Sequence, residues 1–170
     1  MVVDTNSLTV VTFRDLSPDD QELVVASSRA TADAHNPHFR RWWVGSALRL
    51  NREEEMEIIT RANWEHPTPQ LSTCAERRLI DSIPPDLIPI AEAMAVVGRR
   101  PRMSDIILTP CDICRPVIRD FAEKTNKGNK FLIILAPWNF RRGKLIVFMA
   151  EDIRLLPDYD PNGINWRDLV

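Results

Sequence analysis

Apolar residues fall in short blocks whose period changes along the chain. From Asp15 to Asp33, Leu23, Val24 and Ala30 recur at roughly helical spacing. Ser17-Pro18-Asp19-Asp20 supplies a cap, a proline at the first position and acids in the first turn, and Asn36-Pro37 stops the helix. Trp42 to Leu50 and Met56 to Ala62 read as strands, with the charged residues 51–55 as an exposed hairpin turn. Ala75 to Ser82 predicts a helix interrupted at Pro84-Pro85, a second helical piece follows from Asp86, and Ala93 to Val97 is a buried strand ending at Gly98. Ile113 to Lys124 predicts a helix with Val117, Ile118 and Phe121 on one face. Phe131 to Ala136 and Leu145 to Met149 are the clearest strands, joined by a turn over 139–143, and Asp158 to Asn165 is a polar tail containing Gly and Pro. The order of these elements predicts a five-stranded mixed sheet covered by helices, a three-layer α/β/α sandwich.

Bulk properties narrow the class without naming a function. The 170 residues, 44% of them apolar, suit one compact domain over 1–170. A net charge of −2, with no basic and aromatic-interleaved stretch evident along the chain, argues against nucleic acid as a partner. The longest apolar run, Phe131 to Pro137, is too short to span a bilayer, and residues 1–12 lack the pattern of a signal peptide. Three cysteines, an odd number, without an export signal predict reduced thiols and a cytoplasmic protein.

Those cysteines carry the chemistry. Cys74 lies in Thr73-Cys74-Ala75-Glu76-Arg77, and the other two in Pro110-Cys111-Asp112-Ile113-Cys114-Arg115. Cys-x-Glu followed by Pro-Cys-x-x-Cys is the zinc-deaminase signature in its three-cysteine form. Three thiolates hold one Zn2+ per chain and leave a position for water, and Glu76 is placed to move that water's protons. Both motifs fall at predicted helix starts, where the thiolate is favoured. Arg77 and Arg115, each directly after a motif, could offset the negative charge of the thiolates. The competing reading is a structural zinc site closed by a fourth ligand, for which His66 is available.

The chain resembles the cytidine deaminase family in its small homotetrameric, three-cysteine form, which includes the blasticidin S deaminases. The resemblance covers about residues 21–157. Ala34-His35-Asn36-Pro37 and Trp42-Trp43-Val44-Gly45-Ser46-Ala47-Leu48 resemble the family's first loop and its Phe-x-Val-Gly-Ala-Ala-Leu strand. Asn63-Trp64-Glu65-His66 resembles the Asn-x-Glu-Asn segment, eleven residues before the first cysteine, and Arg154-Leu155-Leu156-Pro157 the closing Glu-Leu-Leu-Pro. The resemblance implies Cys74, Cys111 and Cys114 as zinc ligands and Glu76 as the proton shuttle. It further implies Asn63 and Glu65 as ribose contacts, the Ala75 N–H as donor to the pyrimidine carbonyl, and Trp42 as a wall beside the base. Read alone, Asn63 and Glu65 would be a solvated strand edge, and Trp42 core or subunit interface.

The chain departs from the family at Asp112 (for Gly), Pro116 (for Gln), Pro69 (for an aromatic) and Glu53–Glu55 (for an Asp-Gly hairpin). These changes spare the metal chemistry and bear on the substrate. The expected function is hydrolytic deamination of cytidine or deoxycytidine by a homo-oligomer, a tetramer or a dimer. The alternatives are a deaminase of a modified aminopyrimidine nucleoside such as blasticidin S, and a catalytically silent zinc-binding module.

Overall fold

The computed structural model describes residues 8–35, 42–52, 55–158, 160 and 162–169. The proposed helix stop at Asn36-Pro37 and part of the 51–55 turn lie outside them. Strand β1 (Thr9–Thr12) precedes helix α1 (Pro18–Ala30), and β2 (Trp43–Arg52) and β3 (Glu55–Ala62) form a hairpin. Then come helix α2 (Ala75–Asp81), β4 (Ala91–Arg99), the two-residue β5 (Ile106–Ile107), helix α3 (Cys114–Glu123), β6 (Leu132–Pro137), β7 (Lys144–Met149) and β8 (Ile164–Asn165).

Six strands make the main sheet, in the order β1-β7-β6-β4-β2-β3, with β4 and β6 parallel and every other pair antiparallel. The sheet is mixed, as the element order predicts, but has six strands rather than five. The additional edge strand is Thr9-Val10-Val11-Thr12, a β-branched run paired with β7. Four residues gave too short a pattern to read without a partner. Two further differences have local causes. The second helical piece is a 3₁₀ segment, Pro85–Ile90, because Pro85 and Pro89 withhold the N–H groups that an α-helix needs. The polar tail contributes β8, which pairs Ile164 with Ile107 in a separate two-stranded ladder.

Alternation along the strands builds two cores. Leu48, Leu50, Met94, Val96, Ile133 and Leu135 point to the face covered by α2 and α3, where they meet Leu79, Ile118 and Phe121. Ala47, Ala93, Ala95, Val97, Ile134 and Ala136 point to the other face, against Leu23 and Val24 of α1. The small residues of that second set let α1 lie close. A Cβ on Gly45 would stand 2.0 Å from the Ser27 carbonyl oxygen, so only glycine fits beneath the helix. Ser27, wholly buried, donates from its hydroxyl to the carbonyls of Gly45 (2.9 Å) and Ala95 (3.2 Å). The N-terminus of α1 is capped as expected: Ser17 accepts from the Asp20 N–H, and Pro18 is the first helical residue.

Candidate metal centre

Two connections bring the cysteines together beside the α2–α3 face. The segment after β3 runs outward and returns through an isolated bridge between Trp64 and Thr73, delivering Cys74 as the N-cap of α2. The crossover from β4 to β6 delivers Cys111, whose carbonyl accepts from the N–H groups of Cys114 (2.8 Å) and Arg115 (3.1 Å) and so starts α3. Both motifs stand at helix starts, as the sequence predicts.

The Cys111 sulfur lies 3.7 Å from that of Cys74 and 3.4 Å from that of Cys114, and all three lie within 4.8 Å of one another. Two thiolates on one tetrahedral zinc, each at about 2.3 Å, would be separated by about 3.8 Å, so the cluster has the dimensions of a zinc-binding set. Three sulfurs are also a soft donor set suited to zinc. Hydrogen bonds from Cys114 and Cys74 hold the Cys111 thiol far below its ordinary range. The same contacts push the Cys114 thiol up, and Cys74 is raised chiefly by its contact with Cys111. Three negative sulfurs this close repel one another strongly. A bound dication removes that conflict.

Among the described residues no His, Asp or Glu ligand atom joins the three sulfurs. His66 is turned to its own loop, where Nδ1 accepts from the Thr68 N–H at 3.0 Å. Glu76 sits in the first turn of α2, 5% exposed, and its carboxyl is felt electrostatically by Cys74 and Cys114. Burial, opposed by its own backbone N–H and reinforced by the Cys111 charge, pushes the Glu76 carboxyl up to about 7. A carboxyl so placed can both accept and return a proton near neutrality.

The remaining residues divide into contacts already committed to the scaffold and groups still open. The Asn63 Oδ1 accepts from the Val44 N–H (2.8 Å) and its Nδ2 donates to the Trp42 carbonyl (3.0 Å), pinning the start of β2 to the end of β3. One amide hydrogen and one lone pair remain for a ligand. Glu65 is buried at 6% exposure, two residues along on the same segment, and Ala75 is fully buried. Trp42 is also buried, with the Arg100 guanidinium 5.6 Å from its ring centroid. Neither arginine beside the motifs lies on a thiolate. Arg115 donates to the carbonyls of Pro110 (3.0 Å), Leu156 (3.2 Å) and Pro157, tying the Cys111 loop to the closing Leu-Leu-Pro segment. Arg77 makes no hydrogen bond or ion pair with a described residue. Arg78, which sequence reasoning passed over, donates to the Ala62 carbonyl (2.7 Å) and fixes α2 to the end of β3. No local signal distinguishes it from Arg77, since the choice depends on where β3 ends.

No family model matches the sequence. Among solved structures, the chain is similar to a cytidine deaminase from Burkholderia pseudomallei. The identity is 25%, with a TM-score of 0.60, covering 85% of this chain and 100% of that one. It is also similar in fold to a cytidine deaminase from Mycobacterium leprae, at 23% identity and a TM-score of 0.52, covering 84% of this chain and 100% of that one. No described helix is long and apolar enough to cross a membrane. With its mixed sheet between helical layers and three cysteines gathered at two helix starts, the chain has the cytidine deaminase-like fold and a thiol cluster consistent with the zinc type of that structural family.

Proposed function

We propose that the protein is a zinc-dependent hydrolytic deaminase of an amino-pyrimidine nucleoside, converting cytidine or deoxycytidine to its uridine counterpart with release of ammonia. The observation that carries this reading is a buried carboxyl, Glu76, beside a three-thiol cluster that no fourth ligand closes among the described residues. A purely structural metal site has no need of that carboxyl, so Glu76 weighs against a silent module. One zinc per chain, held by Cys74, Cys111 and Cys114, would supply the Lewis acidity that makes water a nucleophile near neutral pH. Glu76 takes the proton of that water and passes it to the ring nitrogen beside the amino-bearing carbon. It then takes the second proton, from the hydroxyl now on that carbon, and gives it to the departing amine, so that one water is consumed and one ammonia released. The Ala75 N–H, an orphan donor in the first turn of α2, orients the pyrimidine carbonyl. Asn63 and Glu65 hold a sugar hydroxyl, and Trp42 closes the wall beside the base.

Assembly into a homo-oligomer is part of the same reading. Trp64, Leu71 and Ile113, which are 40%, 58% and 62% exposed, lie on the segments that carry the cysteines. Apolar and aromatic residues of this kind suit a subunit interface near the site.

The test is ammonia release from cytidine, deoxycytidine, cytosine and blasticidin S by zinc-loaded protein, with metal analysis and light scattering on the same sample. We expect one zinc per chain, an oligomer, and turnover of nucleosides in preference to the free base. Preference for blasticidin S would move the assignment to the modified-nucleoside class. A zinc-loaded protein that releases ammonia from none of the four would overturn the reading.

A further inference from the structure

At the ends of β2, β4 and β6, far along the sequence from one another, the fold gathers arginines and aromatic rings that no local segment announces. Trp43 is opposite Arg99 in the β2–β4 ladder, and Gly98 is opposite Pro137 in the β4–β6 ladder, which brings Trp138 to the same rim. The Arg99 guanidinium lies between the two indoles, 5.4 Å from the Trp43 ring centroid and 4.9 Å from that of Trp138. Arg141, in the turn after β6, lies 5.3 Å and 5.5 Å from the Phe13 and Phe140 ring centroids. Arg142 is exposed beside it, and Arg102 is exposed at the tip of the loop after β4.

Three features set this rim apart from an ordinary solvated surface. First, Arg99, Arg100, Arg102, Arg141 and Arg142 form no ion pair with a described carboxylate; Arg14, Arg29, Arg61, Arg77 and Arg154 elsewhere also form none, and what distinguishes the rim is that five such cations gather at one end of the sheet. The acid of the loop after β4, Asp105, is paired with Arg167 at 2.7 Å. Second, Trp43 and Trp138 are only partly buried and keep some apolar area at the surface among these cations. Third, Arg102 holds φ +64°, a left-handed conformation rare for a side chain of this kind. The loop keeps that conformation while the Ser104 carbonyl accepts from the Asn139 N–H at 3.0 Å, which locks it against the turn after β6.

We propose that this rim binds single-stranded nucleic acid, the arginines meeting successive phosphates while bases stack on the partly exposed indoles and on the Arg99 guanidinium plane between them. Unpaired guanidinium groups interleaved with accessible aromatic faces are the chemistry that recognises a flexible polyanion with π-faces. A single phosphate would occupy one or two of these cations, and a double helix would bury its bases away from the rings. The net charge of −2 reflects acids placed elsewhere, and steering depends on the local field rather than on the sum. The proposal is independent of the deaminase reading, because it concerns binding and needs no turnover.

The experiment is fluorescence anisotropy of a labelled 16-nucleotide oligothymidylate with full-length zinc-loaded protein across a salt series. It is repeated for the triple variant R102Q/R141Q/R142Q, all three side chains being exposed. Each phosphate neutralised on a single strand contributes about −0.7 to the slope of log K against log salt, so losing three contacts should flatten the slope by about 2. Wild-type tryptophan fluorescence should be quenched on binding, and a duplex of the same length should bind more weakly. No binding at about 50 mM salt, a slope unchanged in the variant, or duplex bound as tightly as single strand would each overturn the proposal. So would competition by thymidine monophosphate as effective per phosphate as the oligomer, which would mark a single-phosphate site. A change in the mass of the variant by light scattering would assign the rim to contact between copies instead.

Discussion

The two faces of the sheet differ in the buried polar groups they hold: hydroxyls alone under α1, hydroxyls together with titratable groups beside α2 and α3. Under α1 each one is answered by the backbone: Ser27 donates to Gly45 and Ala95, and Thr31 donates to the Ser28 carbonyl at 2.8 Å. Beside α2 and α3, Ser46 and Thr125 are likewise answered by the carbonyls of Arg61 and Ala122, but the titratable groups are not paired off in this way. Three sulfurs crowd together, and the Glu76 carboxyl meets its own backbone N–H. Buried polarity that is satisfied holds a fold together, whereas buried polarity left open costs stability and is retained where a ligand completes it. On the proposed function, the α1 face is scaffold and the α2–α3 face carries the chemistry. Asn63 sits between the two, with half of its side-chain hydrogen-bonding capacity on the scaffold side.

Replacing groups on each face should therefore move different observables. The largest effect belongs to Glu76→Gln, which should lower ammonia release about 10⁴-fold, the upper range for a general acid–base residue, while zinc content and thermal stability stay at parent values. A variant within a few-fold of the parent on its best substrate would remove Glu76 from the chemistry. Next, Cys114→Ala should abolish tight zinc binding and lower the thermal midpoint, because metal binding is coupled to folding. Acid should act likewise on the parent: thiolate ligands must be deprotonated, so retained zinc, measured after dialysis across pH, should fall as pH falls.

On the scaffold face the readout is stability with the metal retained. Gly45→Ala should cost about 3 kcal/mol in urea unfolding, since its methyl must push α1 off the sheet. Ser27→Ala should cost about 1–2 kcal/mol, leaving two buried carbonyls short of a donor. Substantial zinc loss in either variant at neutral pH would show that the two faces are not separable.

The smallest effect is expected at the start of β4, where Glu92 meets Arg49 (3.5 Å) and Lys127 (2.9 Å). Burial would raise the Glu92 carboxyl, but hydrogen bonds from Asn51 and Lys127, with the charges of Lys127 and Arg49, outweigh it and hold the group below its usual value. A carboxyl lowered in the folded state stabilises the protein above its unfolded pKa, and that stabilisation is lost as pH falls through the folded value. Glu92→Gln should thus be slightly less stable than the parent at pH 7, with the gap closing in acid. A gap that widened in acid would contradict the assigned sign.

Local pattern, with no tertiary information, determined the helices, the five longer strands and the cysteine motifs. Caps such as Ser17-Pro18, the short apolar runs of β6 and β7, and the spacing of Cys111 and Cys114 all act within a few residues, so they can be read from a linear string. The tertiary structure alone decided which groups remain open. Arg115 and Arg77 have the same position relative to their motifs, yet one is held by Leu156 and Pro157, more than forty positions away. β1 and β8 exist because β7 and β5 offer them ladders. The arginine–tryptophan rim joins residues from three strand ends, so the chain's overall charge concealed it. Propensity and spacing are short-range and survive projection onto the sequence. Pairing, burial and the local field depend on distances in space, and only the folded chain sets those.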